Sequence, residues 1–206
     1  MIERSVLLAA CLLGACAGGT RYPPPVVYDF GMPAQRLTEG GHWSTLALEI
    51  KAPRWFDSPA IEYRLLYDNP LLLHGYAGSR WAGAPAQLLA QRLRQQLALV
   101  GGGGQSSVSC LIRFELQEFS QVFDTPQRSR SLLQGQASLL DMAQSRRVDE
   151  RRFAVEQPAD SADARGGVHA LVLASDQLGR QLAAWLNDLE KRGRLKGCRS
   201  TAVDSQ

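Results

Sequence analysis

No stretch of this chain is long and apolar enough to cross a bilayer as a helix. Its longest apolar run, over 6–15, falls well short of the about 20 residues that a span needs. Charge of one sign is missing too. Lys and Arg number 23 against 20 Asp and Glu, a net of +3, which gives nucleic acid little electrostatic footing. Histidine is scarce. His42, His74 and His169 fall in a loop, a hairpin and a helix start, with no HxxxH or HExxH spacing. No CxxC pair exists either, so a zinc site is poorly supported. The glycine run 101–104 follows a helical pattern and precedes a strand. A phosphate-binding loop needs strand, loop, helix, with a Lys near the end. No serine lies in a GxSxG setting. These absences argue against catalysis, and no catalytic residue, metal or cofactor is expected.

What is present is ordinary for a globular protein. The 206 residues are 45% hydrophobic and 21% charged, enough for one domain with its own core.

The first sixteen residues, MIERSVLLAACLLGAC, set the expected compartment. Arg4 supplies a thin basic start, partly cancelled by Glu3. The apolar run that follows has the length of a signal-peptide core. It ends in Leu13-Gly14-Ala15-Cys16, which resembles a bacterial lipobox, where a leucine and two small residues precede the cysteine that becomes lipidated. Cleavage is expected after Ala15 and lipidation at Cys16. Leu8-Ala9-Ala10-Cys11 fits the same pattern, but cleavage there would leave an apolar core of only 6–10. A buried N-terminal helix or a plain secretory signal are the competing readings. Residue 17 is Ala rather than Asp, which goes with transfer to the outer membrane. The expected place is therefore the periplasmic side of that membrane, with the inner membrane as the alternative. Several acyl chains anchor stably where a single one does not.

The expected divisions are a signal peptide over 1–15, a lipidated Gly/Pro tether over 16–25, a domain over 26–192 and a polar, frayed tail over 193–206. Alternation predicts strands over 26–30, 44–52, 61–67, 71–76, 107–119, 131–142 and 147–156. Leu46, Leu48 and Ile50 share one face of the second. Val108, Cys110, Ile112, Phe114 and Leu116 share one face of the fifth. Leu89, Leu93 and Leu97 recur at helical spacing, so a helix is expected over 85–100, with Arg92 and Arg94 turned largely to solvent. Leu171, Leu178, Leu182, Trp185 and Leu189 mark a second helix over 168–191. The expected fold class is α/β: a single domain with a mixed, largely antiparallel sheet and two amphipathic helices, in the order β-β-β-β-α-β-β-β-α.

Four cysteines suggest two disulfides only until the signal is removed. Cys11 leaves with it and Cys16 is consumed by lipid. Cys110 and Cys198 remain, and an oxidising periplasm permits a bridge between them. A buried Cys110 with a loose Cys198 is the other reading.

Several segments in order resemble the ABC-type transport auxiliary lipoproteins, a family that includes the paraquat-inducible lipoprotein C group. They are the lipobox at Cys16, Val-Tyr-Asp-Phe-Gly at 27–31, the strand 46–50 and Ala-Pro-Arg-Trp-Phe-Asp-Ser-Pro at 52–59. Ile-Glu-Tyr-Arg at 61–64 and Tyr-Ala-Gly-Ser-Arg-Trp-Ala at 76–82 follow, then Arg-Arg-Phe at 151–153 and Ala-Asp-Ser-Ala-Asp at 159–163. The resemblance runs from about residue 26 to 191. It implies a mixed α/β domain with an accessory role and no ATP hydrolysis of its own. It also implies partners: an ABC transporter permease and ATPase complex and an MCE-type substrate-binding protein, moving phospholipid or other hydrophobic cargo between membranes.

Two surfaces are candidates for contact. Trp55 and Phe56 lie between Pro53 and Pro59, and Trp81 precedes the first helix, so these aromatics are expected either to meet a partner or lipid or to close the core. Arg146, Arg147, Arg151 and Arg152, with Arg192, Arg194 and Lys196, would face anionic headgroups, an acidic partner or plain solvent. The rival functions are a structural lipoprotein of outer-membrane assembly and a periplasmic enzyme with a non-obvious site.

Overall fold

Sixteen residues, Cys110–Thr125, form the strand on which the other elements are arranged. The computed structural model describes residues 23–38, 43–101 and 108–198. In chain order these contain β1 (Val26–Tyr28), β2 (Leu46–Lys51), β3 (Ala60–Leu65), β4 (Asn69–Trp81), α1 (Pro85–Leu97), β5 (Val100–Gly101), β6 (Cys110–Thr125), β7 (Arg128–Asp141), β8 (Arg146–Pro158) and α2 (Ala164–Lys191). Short 3-10 turns occupy Arg54–Phe56 and Lys196–Cys198.

The eight strands make one mixed sheet. β6, β7 and β8 form an antiparallel meander. Along the other edge of β6, β2 and β3 lie end to end and parallel to it. β2 pairs with Cys110 to Glu115, and β3 pairs with Gln121 to Phe123. Pro53 and Pro59 explain the gap between them. Neither ring nitrogen can donate to a ladder, so the chain leaves the sheet after Lys51, makes a 3-10 turn and re-enters at Ala60. β4 then returns antiparallel to β3, β1 adds parallel to the far end of β4, and β5 adds parallel to β2.

The expected fold class and element order hold, with shifts at the ends. α1 stops at Leu97 because Ala98 turns left-handed, at φ 50°, and Val100–Gly101 joins the sheet instead of extending the helix. β4 and β6 run longer than alternation suggested. In β6 a register irregularity between Leu116 and Glu118 breaks the period, and both faces are buried from Phe119 to Phe123. α2 starts at Ala164, four residues earlier than its leucine stripe implied. Gly166 and Gly167 weaken helix propensity, but tertiary packing requires them. A Cβ on Gly166 would lie 2.2 Å from the Ser161 carbonyl oxygen, and one on Gly167 would lie 2.0 Å from Gln121 Oε1.

Both helices cover one sheet face. α2 lies over β6, β7 and β8, and α1 lies over β2 and against α2. Trp81, Phe114, Phe119, Leu171, Leu182 and Trp185 are buried between the layers. Trp185 keeps its indole N–H satisfied by donating to Asp149 at 2.8 Å. The opposite face of β7 and β8 carries polar side chains, as antiparallel strands with one solvated face do.

Two expectations change here. Arg92 is not turned to solvent but is 4% exposed, because Asp176 on α2 meets it. The segment 193–198 does not fray. It folds back over the sheet with Leu195 and Cys198 buried, while 199–206 lie outside the described residues.

Candidate functional site

The first turn of α2 and the chain just after β1 enclose a cavity of about 820 Å3. Asp163 caps the helix. Its carboxylate accepts from the Gly166 N–H at 2.9 Å and from the Ser161 hydroxyl at 2.6 Å. The Gly166 bond, then the Ser161 bond, hold this carboxyl below the usual carboxylate range. Across the opening, Asp29 accepts from the Gly31 N–H at 2.8 Å and tightens the 29–31 turn. The lining mixes an apolar part, Phe30, Val168 and Val172, with a polar rim that includes Asp160, Arg165 and His169.

The wall formed by Phe30 is fixed from behind. Its ring packs edge-on to Trp81 at 5.1 Å and stacks on Phe119 at 5.7 Å. Arg92 donates to the Phe30 carbonyl and, at 3.3 Å, to that of Gly31. It also grips Asp176 with two bonds of 2.6 and 2.8 Å. One guanidinium therefore ties α1, α2 and the cavity wall together. Fork geometry of this kind suits arginine and not lysine.

A serine, a histidine and an aspartate share this cavity, yet they are paired off separately. Ser161 gives its hydrogen to Asp163, and His169 Nδ1 lies 2.5 Å from Asp160. A nucleophile needs its base within hydrogen-bond reach, and here the hydroxyl is committed to the helix cap. The arrangement suits binding a group with an apolar body and a polar end. Among the described residues no group of three His, Cys, Asp or Glu side chains converges as a metal would need.

The candidate residues from the sequence do not form one site. Ala15 and Cys16 lie outside the described residues. Of the three aromatics proposed for contact, only Trp55 is accessible, at 66%. Phe56 and Trp81 are buried at 2% and 0%, so neither can present a surface. Phe56 is turned inward by the 3-10 turn, and Trp81 is held by Phe30 and Phe119. Cys110 and Cys198 are disulfide-bonded, with Cα atoms 5.2 Å apart, and the bridge fastens 193–198 to the start of β6. The basic residues are dispersed. Arg147 pairs with Glu150, Arg192 with Asp188, and Arg194 donates to the Val148 carbonyl. They build no single cationic field.

One cluster was invisible in the sequence. Arg64 bonds Glu118 at 3.1 Å, where β3 runs beside β6, and Glu62 lies two residues before Arg64. Burial, and then the Glu118 charge, push the Glu62 carboxyl up to about 7, with Arg64 opposing. Two charged residues of β3 meet Glu118 of β6 because the parallel pairing of these strands brings them together.

A family model described as the ABC-type transport auxiliary lipoprotein component matches residues 28–183. The fold is also that of two solved crystal structures. One is a Xanthomonas campestris protein, 22% identical, with a TM-score of 0.65, the match covering 82% of this chain and 98% of that one. The other is an uncharacterised protein, 12% identical, with a TM-score of 0.62, covering 80% of this chain and 99% of that one. At these identities the likeness concerns the fold alone. No curated protein matches the sequence.

Proposed function

This chain belongs to the ABC-type transport auxiliary lipoproteins, and from that premise we propose that it is a lipid-anchored periplasmic accessory subunit of a transporter for phospholipid or other hydrophobic cargo. The observation that carries the reading is the family match across nearly the whole α/β domain. The lipobox ending at Cys16, ten residues before β1, supports the anchor.

In this reading Cys16 holds the chain to the periplasmic side of the outer membrane. The tether over 16–25 sets the reach, and the domain acts by binding and positioning. Its partners are an MCE-type substrate-binding protein and the permease and ATPase of the transporter. The cavity beside β1 supports a binding role, because its paired-off polar groups leave an apolar wall with a charged rim. Trp55, exposed between two prolines, is the contact aromatic that remains available.

Membrane fractionation of wild type and Cys16→Ala, followed by crosslinking and pulldown with lipid analysis, tests this. Wild type should fractionate with the outer membrane and bring down the transporter's substrate-binding component. Cys16→Ala, which lacks the thiol that the lipid needs, should be lost from the outer-membrane fraction. Recovery of outer-membrane assembly proteins instead would overturn the transport reading.

A further inference from the structure

The two edges of this sheet are built differently. β8 pairs only with β7, and its exposed residues include Arg146, Arg147, Glu150, Arg151 and Arg152. Charge of this density discourages a further strand or an apolar surface. β4 is the contrary case. Beyond its pairing with β3, only Ser79 to Trp81 are covered, by β1, so its other edge is open over 69–78 among the described residues. That open stretch carries Leu71, Leu72 and Leu73, and the facing turn adds Leu66 and Tyr67. Leu71 is 87% exposed, and the other four are between 37% and 48%. The tip is nonetheless ordered: Asn69 accepts from the Leu71 N–H at 3.0 Å, and the Leu66 N–H donates to Phe123 at 2.9 Å.

The tether cannot cover this edge next to β1. Pro23, Pro24 and Pro25 have no N–H to offer, so pairing stops at Val26. Direction matters as much. β1 runs parallel to β4, so the chain enters β1 from the hairpin-tip end. From Ser79 back to Leu71 is eight residues, about 26 Å at strand rise. From Val26 back to Cys16 is ten residues, at most about 36 Å when fully extended. An anchor at Cys16 therefore reaches little farther than the hairpin tip.

We infer that the tip of the β3–β4 hairpin rests in the interface of the same bilayer that holds the anchor. This inference depends on the lipidation of Cys16 proposed above. Leu66, Tyr67 and Leu71 to Leu73 enter the boundary between headgroups and acyl chains, while Asp68 and Asn69 at the turn remain among the headgroups. Amphipathic segments commonly sit at this depth, and tyrosine suits it. The domain is thereby oriented, with the hairpin toward the membrane.

The test uses the lipidated mature chain in vesicles of phosphatidylethanolamine and phosphatidylglycerol. A benzophenone side chain replaces Leu72 in one preparation and Arg151, on the opposite edge, in another. Flotation reports anchoring, and mass analysis after illumination reports what was touched. Lipid adducts several-fold more abundant at 72 than at 151 are expected. A chain that floats with equal yields at the two positions overturns the hairpin contact and leaves the anchor standing. Adducts at 72 to a second copy of this chain also overturn it. A chain that does not float overturns the anchor and the hairpin contact together.

Discussion

Arg92 on α1 and Asp176 on α2 meet through two hydrogen bonds of 2.6 and 2.8 Å, with the arginine almost wholly buried. The pair joins the helices and, through the carbonyls of Phe30 and Gly31, the wall of the cavity. Asp176→Ala removes only one partner and leaves a buried cation without its counter-charge. Breaking a buried pair in this way costs about 3–5 kcal/mol. Urea unfolding should show the loss as a lower midpoint with an unchanged slope. An unchanged midpoint would mean the pair contributes nothing.

The bridge between Cys110 and Cys198 makes the segment after α2 part of the domain. The two cysteines are 88 residues apart in sequence, and closing a loop of that length stabilises by about 2–4 kcal/mol. Cys198→Ser should lower stability by that amount. It should also expose 193–198 to protease, since the covalent link that fastens this segment to β6 would be gone. Titration of the unreduced mature protein should find no free thiol, and two free thiols would refute the bridge.

Gly166→Ala places a methyl group against the backbone of Ser161, where no side-chain rotation can relieve it. Overpacking of this kind costs about 1–3 kcal/mol. The loss should register in thermal unfolding. It should also speed amide hydrogen exchange in the first turn of α2.

Glu62 gives a pH dependence of definite sign. Its folded-state pKa, about 7, lies above the ordinary value of 4.5. Between those values the folded chain holds a proton that the unfolded chain has lost, so stability falls as pH rises from 4.5 to 7 and then levels. Glu62→Gln should therefore be more stable than wild type at pH 8 and equal to it below pH 4.5. Glu62 is only half-buried, and solvent screening reduces the gain to about 1 kcal/mol. Denaturation midpoints measured at pH 4 and pH 8 decide it, and a gap independent of pH would exclude the ionisation of Glu62 as its cause.

Trp55→Ala removes an exposed side chain. Its effect on stability should stay within about 0.5 kcal/mol. Loss of partner capture in a pulldown, with that stability kept, would place Trp55 in a contact surface. Capture at the wild-type level would remove it from the proposal.

How much was legible depended on whether a signal was local. The alternation in 46–50 and 110–116 announced strands because period-two burial is a property of neighbouring residues. The leucines of both helices were legible for the same reason. The extension of β6 past Phe119 was not, because the irregularity at Leu116 to Glu118 shifts the register that a pattern search relies on. The start of α2 was missed because Gly166 and Gly167 look like a break until Ser161 and Gln121 are placed beside them. Arg92 looked like a solvent-facing helix residue because its partner Asp176 lies 84 positions away. In the hairpin, the consecutive Leu71-Leu72-Leu73 does not alternate, a pattern that by itself points to burial on both faces, and their exposure is legible only in the tertiary structure.

By itself the sequence determined the order of elements, the mixed single-domain class, the scarcity of catalytic constellations and the lipobox pattern. Each rests on short-range spacing and composition. Only the tertiary structure decided which aromatic is accessible, that Cys110 meets Cys198, that Glu62 shares a site with Glu118, and that the open edge of β4 carries leucine while that of β8 carries arginine. Those facts depend on strand register and on which residues fold back over the sheet. Contacts between residues dozens of positions apart set both, and no local pattern records them.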